Sequence, residues 1–258
     1  MNIEDLKKQI EDDVKTIYST DFEVIIKDTD QVPYVDHPDL TFPDLKNKQV
    51  KCLRLETCVL FIDIRKSTEL NLTKRPVTLS KLYSSFISSM ARIAHYFNGK
   101  VRNIVGDRLM VVYDKELCFR NAVKTAIGMY SVVEYVLNKH FSYSDVQCGI
   151  GIDYGKMLIA KTGVIKHREE NQENKALVWL GRPANIASKL TDLANKSNKI
   201  GDTEPVILMT KPVLDGYKKE CPECESVKND WWKKRYFLDF DYDQEIYGGS
   251  IYFKIFGE

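Results

Sequence analysis

The run Thr57-Cys-Val-Leu-Phe-Ile-Asp63 is apolar almost without a break and ends in a carboxylate. A run this short and this apolar reads as a central strand buried on both faces. A second acid has a similar setting. Lys100–Val105 and Leu109–Tyr113 are apolar segments joined through Gly106-Asp107-Arg108, a hairpin signal. An ionised carboxylate among buried residues is costly unless it is paired or metal-bound. These two acids constrain the chain more tightly than its composition does.

The rest of the pattern frames them. Ile3, Leu6, Ile10, Val14 and Ile17 recur at helical steps and predict an amphipathic helix over residues 2–18. Residues 28–50 read as an irregular connector. Pro76 opens a helix whose stripe is Leu79, Leu82, Phe86, Met90, Ile93 and Phe97, closed by Asn98-Gly99. Residues 116–139 form a second long helix. Val146–Asp153 and Met157–Lys161 flank Tyr154-Gly155 as a second hairpin, and residues 165–175 read as an exposed loop. Ala176–Leu180 is a strand, Gly181 leads into a helix over residues 184–197, and Val206–Met209 is another strand. The tail over 234–257 alternates in two strand-like runs around Tyr247-Gly-Gly-Ser250. The order β-α-β-β-α-β predicts an α+β, ferredoxin-like core: one mixed or antiparallel sheet with helices on one face. An N-terminal helix and connector occupy residues 1–50, and the main domain residues 51–258.

Composition excludes some functions. With 38 Lys+Arg against 37 Asp+Glu, the 258 residues lack the basic excess of a nucleic-acid binder. No run of 18 apolar residues exists, which argues against a membrane span. MNIEDLKKQI carries no apolar signal core, so a cytoplasmic location is expected. Cys52, Cys58, Cys118 and Cys148 sit among apolar residues as small core residues of a reduced compartment. Cys221-Pro-Glu-Cys224 has no second pair for a zinc site and reads as a surface turn.

In this topology Asp63 and Asp107 converge. Two converging carboxylates repel, and a divalent cation relieves the repulsion. Mg²⁺ favours one or two carboxylates plus substrate phosphates, and two such ions can clamp an in-line phosphoryl displacement. The plainer alternative is that Asp107 favours its turn and Asp63 caps the next segment. After Asp63, the residues Arg65, Lys66, Ser67 and Thr68 can meet phosphate oxygens, or form a solvated basic loop. In Gly181-Arg-Pro-Ala-Asn185-Ile-Ala-Ser-Lys189, Asn185 and Lys189 share a helix face. An amide there can hold a ribose, and an ammonium can meet charge building on an α-phosphate; a helix-start Asn with a solvent Lys is the alternative.

These elements, in this order, resemble the catalytic domain of class III nucleotidyl cyclases. Leu60–Thr68 is similar to the family's first metal motif, Gly99–Asp107 to its second, and Gly181–Lys189 to its ribose and transition-state motif. The resemblance covers about residues 55–257 and makes the main domain the catalytic one. It implies two Mg²⁺ or Mn²⁺ ions per site on Asp63 and Asp107, assisted by the Ile64 carbonyl, and a ribose oriented by Asn185. It implies attack of the 3′-hydroxyl on the α-phosphorus, releasing pyrophosphate and a 3′,5′-cyclic nucleotide. It also implies a homodimer whose sites are shared, since the acids lie on the sheet while Asn185 and Lys189 are expected on a distant helix.

Base-reading positions depart from both purine codes. Adenylyl cyclases place Lys, and guanylyl cyclases Glu, where this chain has Asn103; Asp or Thr, or Cys, stands where it has Val178. Val178 cannot hydrogen-bond a purine's exocyclic group. Lys189 replaces the usual transition-state Arg, keeping the charge without the bidentate fork and leaving room for Arg65, Arg102 or Arg182 to assist. The segments Asp39–Phe42 and Glu56–Thr68 resemble the pyrimidine cyclases of the bacterial Pycsar antiphage system. That resemblance implies a UTP or CTP substrate, a cyclic UMP or cyclic CMP product, and a downstream effector reached through the messenger rather than by contact. Asn103 carries a donor and an acceptor and suits either pyrimidine. The competing readings are an adenylyl cyclase with an atypical base pocket and a catalytically degenerate, nucleotide-binding cyclase homologue.

Overall fold

The computed structural model describes residues 2–141, 143, 145–166, 169–197, 202–237 and 244–258, without the side chains of 164–174. The chain divides into two compact units. One comprises Met1–Leu55 with Lys156–Gly181, the other Glu56–Gly155 with Arg182–Glu258.

The second unit holds the main core. Its sheet order is β3-β4-β2-β5-β7-β9-β8. Here β2 is Gln49–Ile64, β3 Gly99–Val105, β4 Arg108–Tyr113, β5 Cys148–Lys166, β7 Ile207–Thr210, β8 Lys233–Arg235 and β9 Ile246–Gly249. The first four of these strands have the expected ferredoxin-like order. Register is fixed by apolar alternation: Leu60 lies opposite Val111 and Ile62 opposite Leu109 in antiparallel pairing. On one face, Cys58, Leu60, Ile62 and Ile64 of β2 pack with two helices. These are α3 (Pro76–Tyr96) and α4 (Cys118–Val132). Pro76 occupies the first turn of α3, where its missing N–H costs nothing, and Leu82, Phe86 and Met90 are buried beneath it. The α4 helix continues through a π turn, Val133–Leu137, into the short α5 (Asn138–His140). The 211–220 segment forms α7 (Lys211–Glu220), which adds Val213, Leu214 and Tyr217 to this core.

Helices are not confined to one face, as the sequence suggested. The helix α6 (Arg182–Leu193) buries Ile186 and Leu190 in a separate cluster with Leu208 and Ile246. Strand alternation explains it: Ile207 and Met209 of β7 point into the main core, and Leu208 points away. The predicted hairpin at Tyr154-Gly155 is also absent, because β5 runs straight through both residues. Gly155 serves close packing instead: a Cβ there would lie 2.9 Å from Pro183. In the tail, Gly248 and Gly249 belong to β9 rather than to a turn, and the stretch 238–243 of the expected strands lies outside the described residues.

In the first unit, α1 (Ile3–Ile17) matches its predicted span. Between α1 and the connector lies a strand the sequence reading missed, β1 (Glu23–Thr29), parallel to Gln49–Leu55 of β2. Where a loop was expected over 165–175, the described residues are strand: β5 reaches Lys166, and β6 (Glu169–Leu180) pairs back along it.

The four scattered cysteines are buried and free. The Cys221–Cys224 segment is a turn with Pro222 and Glu223 exposed, as expected, but Cys221 is fully buried and bonded to Cys224 in a disulfide. It closes the corner between α7 and α8 (Glu225–Lys228). Among the described residues, no helix is long and apolar enough to cross a membrane.

Candidate active site

Two turns bring the acids together in the second unit. Asp63 is next to last in β2, and β3 and β4 meet at a tight turn in which Gly106 takes φ +62°, a conformation glycine adopts without strain. That turn carries Asp107, whose carboxylate accepts the Ile64 N–H at 3.2 Å. The α2 helix (Ser67–Thr73) follows the sharp turn at Lys66, where φ is +54°. Ser67 and Asp63 both act on the Asp107 carboxyl, Ser67 lowering its pKa and Asp63 raising it. Burial first, then the Asp63 charge, push the Asp107 carboxyl up to about 6. Two carboxylates brought together repel, and the one more deeply buried holds on to its proton to a higher pH. The α3 side contributes Tyr83, which the sequence reading did not single out. Its phenol is raised by burial and by the charges of Asp107 and Asp63.

The third participant is Arg108, also missed as a site residue. The Ile62–Leu109 register sets Asp63 across from Arg108 on the neighbouring strand. Arg108 donates to Asp63 Oδ2 from Nε at 3.1 Å and from Nη2 at 2.7 Å. It also donates to Ser188 Oγ at 2.9 Å and to Asp192. The cross-strand register of β2 and β4 was the available signal.

The α6 helix is therefore not distant from the acids, contrary to expectation. The Thr191 hydroxyl donates to the Phe61 carbonyl at 3.1 Å, and Ser188 and Asp192 meet Arg108. Asn185 and Lys189 lie on the same face of α6 as Ser188 and Asp192, and both are exposed.

The phosphate-binding expectation divides. Arg65 is buried; its guanidinium lies against Gly149 and donates to the Thr191 carbonyl, while its own N–H donates to Gln147 O at 2.7 Å. Burial lowers its pKa. It is a brace between β2 and α6, not a group free to meet phosphate. Lys66 and Thr68 are exposed, and Ser67 is half-buried on Asp107. Arg102 is half-buried with Nη1 on the Val101 carbonyl. Asn103 is exposed on β3 opposite Met110. Val178, in the first unit, is 37% exposed on β6 opposite Ala160.

The donor set fits a divalent cation. Two convergent carboxylates, one with its pKa raised to about 6, are under-compensated by a single guanidinium that Asp192 also engages, and the substrate's phosphates would complete a hard-cation shell. Among the described residues, the one cluster of three or more ligand side chains is Cys221, Glu223 and Cys224, whose sulfurs are already bonded to each other.

Fold and site together define a nucleotide cyclase of class III, and residues 53–239 match the Adenylate and Guanylate cyclase catalytic domain family. The chain belongs to that family. It is 32% identical over 205 residues to a uridylate cyclase of Gulbenkiania mobilis, covering 75% of this chain and 72% of the relative. A cytidylate cyclase of Staphylococcus aureus is 28% identical over 67% of this chain and 48% of its own length. Among solved structures, the adenylyl cyclase CyaB of P. aeruginosa superposes with a TM-score of 0.58 at 20% identity, over 76% of this chain and 94% of that one. Enzymes of this class work with divalent metal ions.

Proposed function

We propose that this chain is a divalent-metal-dependent pyrimidine nucleotide cyclase, working as a homodimer that converts UTP or CTP to the 3′,5′-cyclic monophosphate and pyrophosphate. The observation that carries the reading is the convergence of Asp63 and Asp107 at the end of β2, with Asp107 held near pKa 6 by burial and by its neighbour. The Asp63 and Asp107 carboxylates and the Ile64 carbonyl would hold Mg²⁺ or Mn²⁺, two ions per site. When bound, the metal supplies positive charge that lowers the cost of the attacking 3′-oxygen and of the leaving pyrophosphate. Lys66, Ser67 and Thr68 present an ammonium and hydroxyls toward phosphate oxygens, and Arg65 keeps the end of β2 in place. Asn185 orients the ribose, and Lys189 meets charge on the α-phosphate. Asn103 and Val178 lack the family's purine-reading groups, which supports a pyrimidine base, as do the relatives described as uridylate and cytidylate cyclases. Residues 51–258 act as the catalytic domain. The product serves in the cytoplasm as a messenger of antiphage defence, read by a separate effector.

One observation favours a second reading. Arg108 already neutralises Asp63, as a nucleotide-binding homologue without turnover would allow. An equimolar mixture of ATP, GTP, CTP and UTP with Mn²⁺ and purified chain separates the two. Cyclic UMP or cyclic CMP should dominate the products. Dominant cyclic AMP overturns the pyrimidine assignment, and nucleotide binding with no cyclic product overturns catalysis.

A further inference from the structure

The α1 helix is capped by a reciprocal Asn2–Asp5 pair, yet none of its residues is buried. Ile3, Ile10, Val14 and Ile17 are 76%, 53%, 47% and 38% exposed, and Leu6 is half-buried. Such a stripe in water is unfavourable in proportion to its area. A 15-residue helix is marginal unless its apolar face is covered.

Steps along the stripe are three, four, four and three residues, so it reads the same in either direction. A second copy laid antiparallel about Ile10 sets Ile10 against its counterpart, Leu6 against Val14, and Ile3 against Ile17. The bordering charges select the same orientation. At about 100° per residue, Lys7 and Glu11 line one edge of the stripe, and Gln9 and Asp13 the other. In an antiparallel pair each edge meets the same edge of the other copy. Lys7 then faces Glu11 twice against one Glu11–Glu11 approach, and Asp13 faces Gln9. In a parallel pair opposite edges meet, and Asp13 faces Glu11, acid against acid. An anionic bilayer is a poor occupant, because α1 carries five acids and three lysines.

We propose that α1 is an antiparallel self-association element that joins two copies of this chain through the Ile3–Ile17 stripe. Two helices of this length bury less than the ~1,000 Å² of a self-sufficient interface. The pairing therefore reinforces another contact between copies. It does not depend on the substrate assignment, and its test reads mass and cross-links rather than turnover.

Sedimentation equilibrium of the full chain is compared with Ile10→Asp. The variant is expected to raise the dimer dissociation constant by about tenfold or more, with the near-UV circular dichroism of the core unchanged. Orientation is read by oxidative cross-linking above the background of the native cysteines. Ile10→Cys links to itself. Ile3→Cys and Ile17→Cys link to each other when mixed, but neither links to itself, since these positions lie ~21 Å apart along the helix. An unchanged dissociation constant for Ile10→Asp, or self-linking by Ile3→Cys, overturns the proposal. So does binding to phosphatidylglycerol vesicles that Ile10→Asp abolishes.

Discussion

Asp36 and Asp107 sit in contrasting electrical surroundings. In the first unit, Asp36 lies 2.6 Å from the Lys175 ammonium and 3.5 Å from that of Lys161, both lysines almost wholly buried. Lys175 first, and Lys161 after it, hold its carboxyl below the usual carboxylate range. In the second unit, burial and Asp63 drive Asp107 the other way, to about 6. Asp36 has its cations built into the chain. The Asp63–Asp107 pair has Arg108, which Asp192 also engages. A cluster that serves structure completes its own charge balance. One that leaves an anion short keeps free energy available for a cation from solution.

The largest test of this contrast exchanges each acid for its amide. Asp107→Asn should lower cyclase turnover by about a thousandfold or more, as loss of a metal-holding charge does, while the metal-free melting temperature holds or rises. Asp36→Asn should do the reverse: turnover within about twofold of the parent, and a lower melting temperature. Kinetics and calorimetry on both variants check the pair.

Next comes pH. Asp107 has a folded pKa above its unfolded value, so the folded chain binds the extra proton between about pH 4 and pH 6. Metal-free stability should fall as pH rises through that window. Saturating Mn²⁺ should abolish the fall, and Asp107→Asn should remove it. Asp36, with its pKa lowered, contributes stability present above its unfolded pKa near 3.8 and lost as pH drops through the folded value. Melting temperature against pH, with EDTA and with Mn²⁺, separates the two slopes.

The smallest effect concerns the resident cation. Arg108→Ala removes the charge that competes for Asp63. Nucleotide-free Mn²⁺ affinity should tighten by up to about tenfold, read by isothermal titration. Weaker Mn²⁺ binding would show that Arg108 positions Asp63 for the metal rather than competing with it.

Much of this site is legible in the sequence, because alternation and turn chemistry act locally. The apolar run ending at Asp63 and the Gly106-Asp107 turn locate the acids, and the core strand order follows. What escapes depends on residues distant in the chain. Gly155 reads as a turn because glycine usually punctuates, whereas here Pro183 leaves no room for a side chain. Arg65 reads as a phosphate ligand because it follows Asp63 at a strand-to-helix turn, whereas Gly149 opens a berth for its guanidinium inside the fold. Arg108 reads as a turn residue until the β2–β4 register sets it opposite Asp63. The β1 strand hides because its apolar run, Val24–Ile26, is only three residues long and mostly exposed.

Gly151 of β5 has no functional group, yet it sets the clearance beneath α6. A Cβ there would collide with the Ala187 carbonyl and the Thr191 amide. One added methyl would act as a wedge, prising Ser188 and Asp192 off Arg108 and slackening the hold on Asp63. The Arg108–Asp63 contact is thus open to change from a position that has no side chain of its own.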